Sequence, residues 1–214
     1  MDKTRSWAQW LAVHDSISSH IPFASLLNKA IRFGISKMLG YSTKTLEVMI
    51  GLERLKEKYG FSKFIDSIES IDAYWLTGLG IITENGELFR RGLIRKIMLP
   101  HPEITYKSLE NLRGSLGIVG PAYNIVEQIR STTKYAQHFH VPVKWLHDFP
   151  TVSLTIINTK DGDGWIHQDI IWPFIDGEKR QIMRIERKRE GGLFMQYQDA
   201  FNKLWDSSTD APKL

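Results

Sequence analysis

Histidine is the side chain best able to move a proton or hold a metal ion near neutral pH. This chain has seven: His14, His20, His101, His138, His140, His147 and His167. His138 and His140 lie two apart, and His147-Asp148 and His167-Gln168-Asp169 each bring a carboxylate close to an imidazole. Such pairs are raw material for an acid–base or metal site. One reading is therefore a hydrolase built on His147 with Asp148, or on His167 with Asp169. Against it, no histidine stands in an HExxH or HxK pattern, and the spacing indicates no third metal ligand. Loop and strand-end histidines are the plainer reading. With no cysteine in the chain, disulfide frameworks, thiolate metal sites and thiol nucleophiles are excluded. No catalytic set, metal site or cofactor is expected.

Two further segments invite chemistry and decline it. Asp161-Gly162-Asp163 has the start of a calcium loop but lacks the later glutamate and the twelve-residue spacing. A hairpin turn accounts for Lys160-Asp161-Gly162-Asp163-Gly164 as it stands. Gly78-Leu79-Gly80 follows a predicted strand, yet the third glycine of a dinucleotide fingerprint would fall on Thr83. Strand carboxyl ends are nevertheless where α/β sheets place ligands. Tyr74, Trp75 and Thr77, with His147, are accordingly the candidate pocket residues.

Three basic clusters are candidates for a phosphate or nucleic-acid surface: Arg90-Arg91 with Arg95-Lys96, Lys179-Arg180 with Arg184, and Arg187-Lys188-Arg189. Trp172, Phe174 and Tyr197 supply interleaved aromatics. The competing reading is a solvated strand face balanced by Glu178, Glu186 and Glu190. Arg184 and Glu186 alternate with Met183 and Ile185, as on a half-exposed strand.

The elements that must position these residues fall into two parts. Up to Tyr59 the apolar residues recur at helical spacing, through Trp7, Trp10, Leu11, Phe23 and Met38, a stop at Gly40, and on to Leu46, Met49, Ile50 and Leu52. From Gly60 the texture is mixed. Strands are predicted over Ile71–Gly80, Leu93–Leu99, Val143–His147, Val152–Asn158, Trp165–Trp172 and Gln181–Glu186. Helices are predicted over Glu84–Gly92, Ser108–Leu116, Tyr123–Ala136 and a closing stretch carrying Phe194, Tyr197, Phe201, Leu204 and Trp205. The β–α–β opening favours a parallel sheet with helices packed on it. The tail from residue 209 reads as polar and frayed.

A chain of 214 residues, 42% hydrophobic and 24% charged, can bury a core without staples. No stretch approaches the roughly 20 apolar residues of a membrane span, and no apolar run of signal-peptide kind follows Met1-Asp2-Lys3. A cytoplasmic protein is expected. The net charge of +4 permits contact with nucleic acid. The amphipathic Phe23–Met38 stretch could lie on a membrane, but packing on its own domain or on a partner is favoured.

Three segments carry a family resemblance. Phe64–Pro102 (FIDSIESIDAYWLTGLGIIT…IRKIMLPHP) resembles the first half of phospholipase D-like domains. Trp145–Asn158 (WLHDFPTVSLTIIN) looks like the strand pair that carries the catalytic HxK in active members. Gln181–Trp205 (QIMRIERKREGGLFMQYQDAFNKLW) resembles the closing segment of phospholipase D-like sensor domains attached to bacterial helix-turn-helix regulators. In active members the histidine is the nucleophile and the lysine holds the phosphate. Here the strand entry reads His147-Asp148-Phe149-Pro150, with no lysine two residues on. The resemblance implies a mixed, mostly parallel α/β sheet with flanking helices over residues 60–208, preceded by a helical segment 1–59 and followed by a polar tail 209–214. It also implies a non-catalytic module that docks a partner protein, and a phosphorylated ligand as well, in a regulatory or antiviral defence system. A nucleic-acid-binding accessory subunit is the alternative.

Overall fold

The computed structural model of the chain describes residues 46–50, 52–116, 122–148, 150–171, 180–187 and 192–214. The expectations placed on residues 1–45, and those on Phe149, Trp172, Phe174, Lys179, Lys188 and Arg189, lie outside them. All the described residues belong to the unit that begins at Thr45.

The strands are β1 (Leu46–Ile50), β2 (Ile68–Tyr74), β3 (Ile94–Pro100), β4 (Val143–Leu146), β5 (Val152–Thr159), β6 (Gly164–Ile170), β7 (Gln181–Glu186) and β8 (Thr209–Asp210). The helices are α1 (Leu52–Tyr59), α2 (Leu79–Glu84), α3 (Gly86–Arg90), α4 (Pro102–Leu116), α5 (Ala122–His138) and α6 (Leu193–Ser207). They form one open sheet in the order β1-β7-β6-β5-β2-β3-β4-β8.

The mixed α/β class with flanking helices stands as expected, but the sheet is not mostly parallel. Among the described residues only β2–β3 and β3–β4 pair in parallel, joined by crossovers that run through α2–α3 and α4–α5. The other five pairings are antiparallel. The reason is topological. β5 returns beside β2 instead of continuing outward past β4, and from there β6 and β7 meander outward to β1, which forms the edge.

Two boundaries also differ from the sequence expectation. Leu46–Ile50 is a strand antiparallel to β7, with Leu46 and Val48 buried on one face, so the α/β unit starts well before residue 60. The spacing of Leu46, Met49 and Ile50 fits a helical stripe and a short strand equally, and five residues are too few to separate them. At the other end Thr209–Asp210 forms β8 against β4, and the Ala211 N–H donates to the Val143 carbonyl at 3.0 Å.

Period-two alternation gives the sheet two distinct faces. Ile71, Ala73, Ile97, Leu99, Val143, Trp145, Ile157 and Trp165 share one face with the core side chains Leu88, Phe89 and Ile129 of the helices. On the opposite side α6 buries Phe194 and Phe201, each worth about 1.5–3 kcal/mol of transfer free energy. There the Tyr197 hydroxyl donates to Gln168 Oε1 at 2.5 Å, and Lys96 and Lys144 lie over the Trp205 ring. No helix of the described residues is long and apolar enough to cross a membrane.

Candidate functional site

A cavity of about 530 Å³ opens where β2 ends, β5 begins, β6 ends and β7 begins. Antiparallel register brings these four strand ends to one edge of the sheet. The wall combines Trp75, Leu76, Thr77 and Gly78 after β2, Ser153 and Thr155 of β5, His167 and Asp169 of β6, and Arg180 and Ile182 at β7. Leu55, Lys56, Tyr59 and Phe61 close it from α1 and the turn that follows, with Ile81 and Glu84 of α2 and Ile125 and Gln128 of α5 opposite.

The turn after β2 is fixed by Gly78, whose φ of +72° begins α2. A Cβ there would meet Trp75 Cε3 at 2.4 Å, so only glycine lets the indole lie under the turn. That indole donates its Nε1–H to Thr155 Oγ1 at 3.0 Å, and the Leu76 N–H donates to Ser153 Oγ at 3.2 Å. Both hydroxyls are thereby held at the cavity wall.

From the wall inward a polar row crosses four strands in direct register: Thr155 opposite His167, His167 opposite Arg184, Arg184 opposite Glu47. Polar side chains on a buried strand face are costly without partners, and this row is only partly partnered. The Arg184 guanidinium is sandwiched 4.1 Å from the Tyr59 ring centroid and 4.4 Å from that of Trp165. It reaches Glu186 Oε1 at 3.4 Å through Nη2, while its Nε and Nη1 have no hydrogen-bond partner. The Tyr59 hydroxyl donates to Glu47 Oε2 at 2.5 Å, which fixes the ring over the arginine. His167 is 7% exposed, and its Nε2 is likewise unpartnered. Asp169 meets Arg180 at 3.3 Å through Oδ2 and leaves Oδ1 without a partner.

The electrostatics follow from burial. Desolvation, reinforced by the cation of Arg184, holds the His167 imidazole down at about 3, so it is neutral at any physiological pH. Burial raises the Asp169 carboxyl, with Arg180 working against the rise. Burial lowers the Arg184 guanidinium below its ordinary value, and Glu186 and Tyr59 oppose that. The cavity thus offers hydroxyls, a neutral imidazole and an Arg–Asp pair beside the apolar surface of Leu55, Phe61, Ile125 and Ile182. Among the described residues no group of three or more His, Asp or Glu is placed to hold a metal ion.

Of the residues singled out from sequence, Trp75 and Thr77 line this cavity, and His167 and Asp169 share its wall. Tyr74 is buried beside Leu154 and is not part of the lining. His147 is elsewhere, beyond β4, stacked on His101 with ring centroids 5.0 Å apart.

The basic residues do not gather as expected. Arg90 pairs with Glu87 at 2.8 Å and Arg91 with Asp66 at 2.9 Å. Arg95 holds the buried Asp72 side-on, Nε on one carboxylate oxygen and Nη2 on the other, and Lys96 lies over Trp205. Arg187 donates to Asn158 Oδ1 at 3.4 Å and lies over the Phe194 ring. Arg184, expected on a solvated strand face, is 8% exposed because Tyr59 and Trp165 cover it. Arg180, offered from sequence as part of a basic cluster, lines the cavity, whereas sequence reading missed Tyr59, Ser153 and Thr155 as site residues. The signal of Ser153 and Thr155 was weak, polar residues at alternate positions of a strand, and Tyr59 ends a helix with nothing local to mark it as a site residue.

No protein-family model matches the chain, and no curated protein matches it. Among solved structures the chain is similar to TrmBL2, an archaeal chromatin protein described as showing a novel mode of DNA binding. The two share 11% identity over 97% of this chain and 68% of that one, at a TM-score of 0.45. It is also similar to Nuc from Salmonella typhimurium, a phospholipase D family member. There the identity is 15% over 78% of this chain and 99% of that one, at a TM-score of 0.46. These are likenesses of backbone shape at low identity, and the chemistry of the cavity is read from this chain's own side chains.

Proposed function

We propose that the chain is a non-catalytic binding module whose strand-end cavity holds a small phosphorylated ligand and whose surface docks a partner protein. The observation that carries the reading is His167 in its setting: buried in the cavity wall, held neutral, unpartnered at Nε2, with Arg180 beside it and Arg184 behind it. A phosphate oxygen is the kind of acceptor that Arg180 and the Ser153 and Thr155 hydroxyls suit. The apolar part of the wall suits the body of such a ligand.

The same setting argues against catalysis. A general base works best with a pKa near the operating pH, and His167 sits far below it with a cation as its cross-strand neighbour. Asp169 is turned to Arg180 rather than to the imidazole. The phospholipase D-like resemblance of the sequence, without its HxK, points the same way.

Calorimetric titration of phosphate monoesters into wild type and Arg180→Gln tests this reading. Saturable binding to wild type, weakened about tenfold or more in the variant, is expected. Equal affinity for both would remove the cavity assignment. The docking role is tested by recovery of the tagged protein from its native cell with and without nuclease. A stoichiometric protein that survives nuclease supports it.

Nucleic-acid binding is the second reading, favoured by the +4 net charge and a pI near 9.2. It predicts an affinity that falls steeply with salt through counterion release. A flat salt response would count against it.

A further inference from the structure

The second cluster of titratable groups lies at the same end of the sheet but on the β3–β4–β8 side, away from the cavity. His101 links β3 to α4. Its backbone carbonyl accepts from the Thr105 N–H at 2.9 Å, and its ring Nδ1 accepts from the Glu103 N–H at 3.3 Å. This is an N-cap made by an imidazole, where Ser, Thr, Asp or Asn is the usual residue. The substitution matters because an imidazole nitrogen accepts a hydrogen bond only while it is unprotonated.

The ring of His101 is also tied to the carboxyl terminus of the described chain. It stacks on His147 at 5.0 Å with the planes 24° apart, and it meets Trp145 edge-on at 5.1 Å. The His101 N–H donates to the Leu146 carbonyl at 2.9 Å. His147 Nε2 lies 3.0 Å from Thr209 Oγ1, and that hydroxyl donates to the Trp145 carbonyl at 3.3 Å. The hydroxyl proton being committed, the oxygen accepts from an Nε2–H of His147. Thr209 belongs to β8, a two-residue strand held to β4 by the Lys144↔Asp210 and Trp145↔Thr209 pairs. Beyond those pairs, the segment is held by the Ala211 N–H on the Val143 carbonyl and by the Gln137 side chain, which bonds Pro212 and Leu214.

We propose that His101 is a proton-released helix cap that transmits acidification to the seating of β8 through His147 and Thr209. Protonating His101 removes the acceptor for the Glu103 N–H. It also sets a cation against the positive end of the α4 dipole and against the neighbouring imidazole. The charged groups facing the pair come from every element around it. Glu103 on α4 favours the proton on His101, while Lys107 on α4 and His147 beyond β4 oppose it. Asp148 follows His147, and Lys144 and Asp210 belong to the β4–β8 pair. Burial first, and His147 second, hold the imidazole below its ordinary value. The cap is therefore intact at neutral pH and is lost as the pH falls below the ordinary imidazole value.

Residue-resolved amide exchange of the full chain at pH 7.5 and pH 5.0, corrected for intrinsic rates, tests this. In wild type the Glu103 and Ala211 amides are expected to exchange about fivefold faster at pH 5.0, the worth of one helix cap. His101→Asn keeps a side-chain acceptor that does not titrate, so both amides should stay within about twofold between the two conditions. His147→Gln should leave the Glu103 response in place and abolish that of Ala211. An unchanged acid response in His101→Asn, or none in wild type, overturns the proposal. A full Ala211 response in His147→Gln overturns the coupling to β8.

Discussion

His167 and His101 stand at the same edge of one sheet, and the fold keeps both imidazoles neutral by different means. His167 lies in the antiparallel half, where β5, β6, β7 and β1 line up a polar row under Tyr59 and Trp165. Desolvation and Arg184 exclude its proton outright. His101 lies in the parallel half, half-exposed at a helix start, where neutrality is a condition of the hydrogen bond it accepts. The first histidine is locked and can serve as a fixed polar contact. The second is labile and can report a change of pH. Burial, more than residue type, decides which role an imidazole takes.

The comparison can be broken most forcefully at Trp165, which is 7% exposed, packs on Phe64 at 5.4 Å and covers Arg184. Its indole N–H has no partner, so truncation forfeits packing rather than a hydrogen bond. Trp165→Ala should destabilise the chain by about 3–5 kcal/mol, measured by urea unfolding at pH 7.5.

Acidification separates the two histidines next. His167 binds its proton more weakly folded than unfolded, so its contribution to stability is complete above pH 6.5 and is lost as pH falls towards about 3. Within that window the cost is about 1.4 kcal/mol per unit. His167→Gln, read by unfolding midpoints from pH 7 to pH 4, should flatten most of this slope. The same slope in variant and wild type would show that the imidazole is not held neutral by the fold.

Much of this architecture was legible in the sequence, and the exceptions share a cause. The compact apolar run closed by Pro100 gave β3, the Lys160–Gly164 loop gave the β5–β6 hairpin, and the Phe194–Trp205 stripe gave α6. All three are local patterns. The insertion of β5 beside β2 is a long-range pairing with no local trace, so a β–α–β opening suggested more parallel sheet than there is. Arg184 was misread for the same reason: alternation along β7 shows which residues share a face, not that Tyr59 and Trp165 cover that face. His167 and Asp169 were visible as a pair and Arg180 as part of a basic cluster, whereas Ser153 and Thr155 join them only through cross-strand register.

Smaller effects sharpen the contrast. His101→Ala should cost about 1 kcal/mol at pH 7.5, the worth of a helix cap, and less at pH 5.0, in proportion to the bond that protonation removes from wild type. Paired unfolding curves at the two pH values check this. Arg90→Ala removes an exposed pair with Glu87 on α3 and should change stability by no more than about 0.5 kcal/mol. A larger loss there would mean that the basic clusters carry more of the fold than their local pairing suggests.

The central claim, that the antiparallel half holds a phosphorylated ligand without transforming it, is tested most directly by phosphorus NMR. A phosphate monoester and a phosphate diester would be titrated with wild type and with His167→Gln. The account predicts broadening or a shift of a ligand resonance with wild type, a markedly smaller effect with the variant, and an unchanged ligand after prolonged incubation. No response from either ligand, the same response from both proteins, or a new phosphorus resonance that grows with time would contradict it.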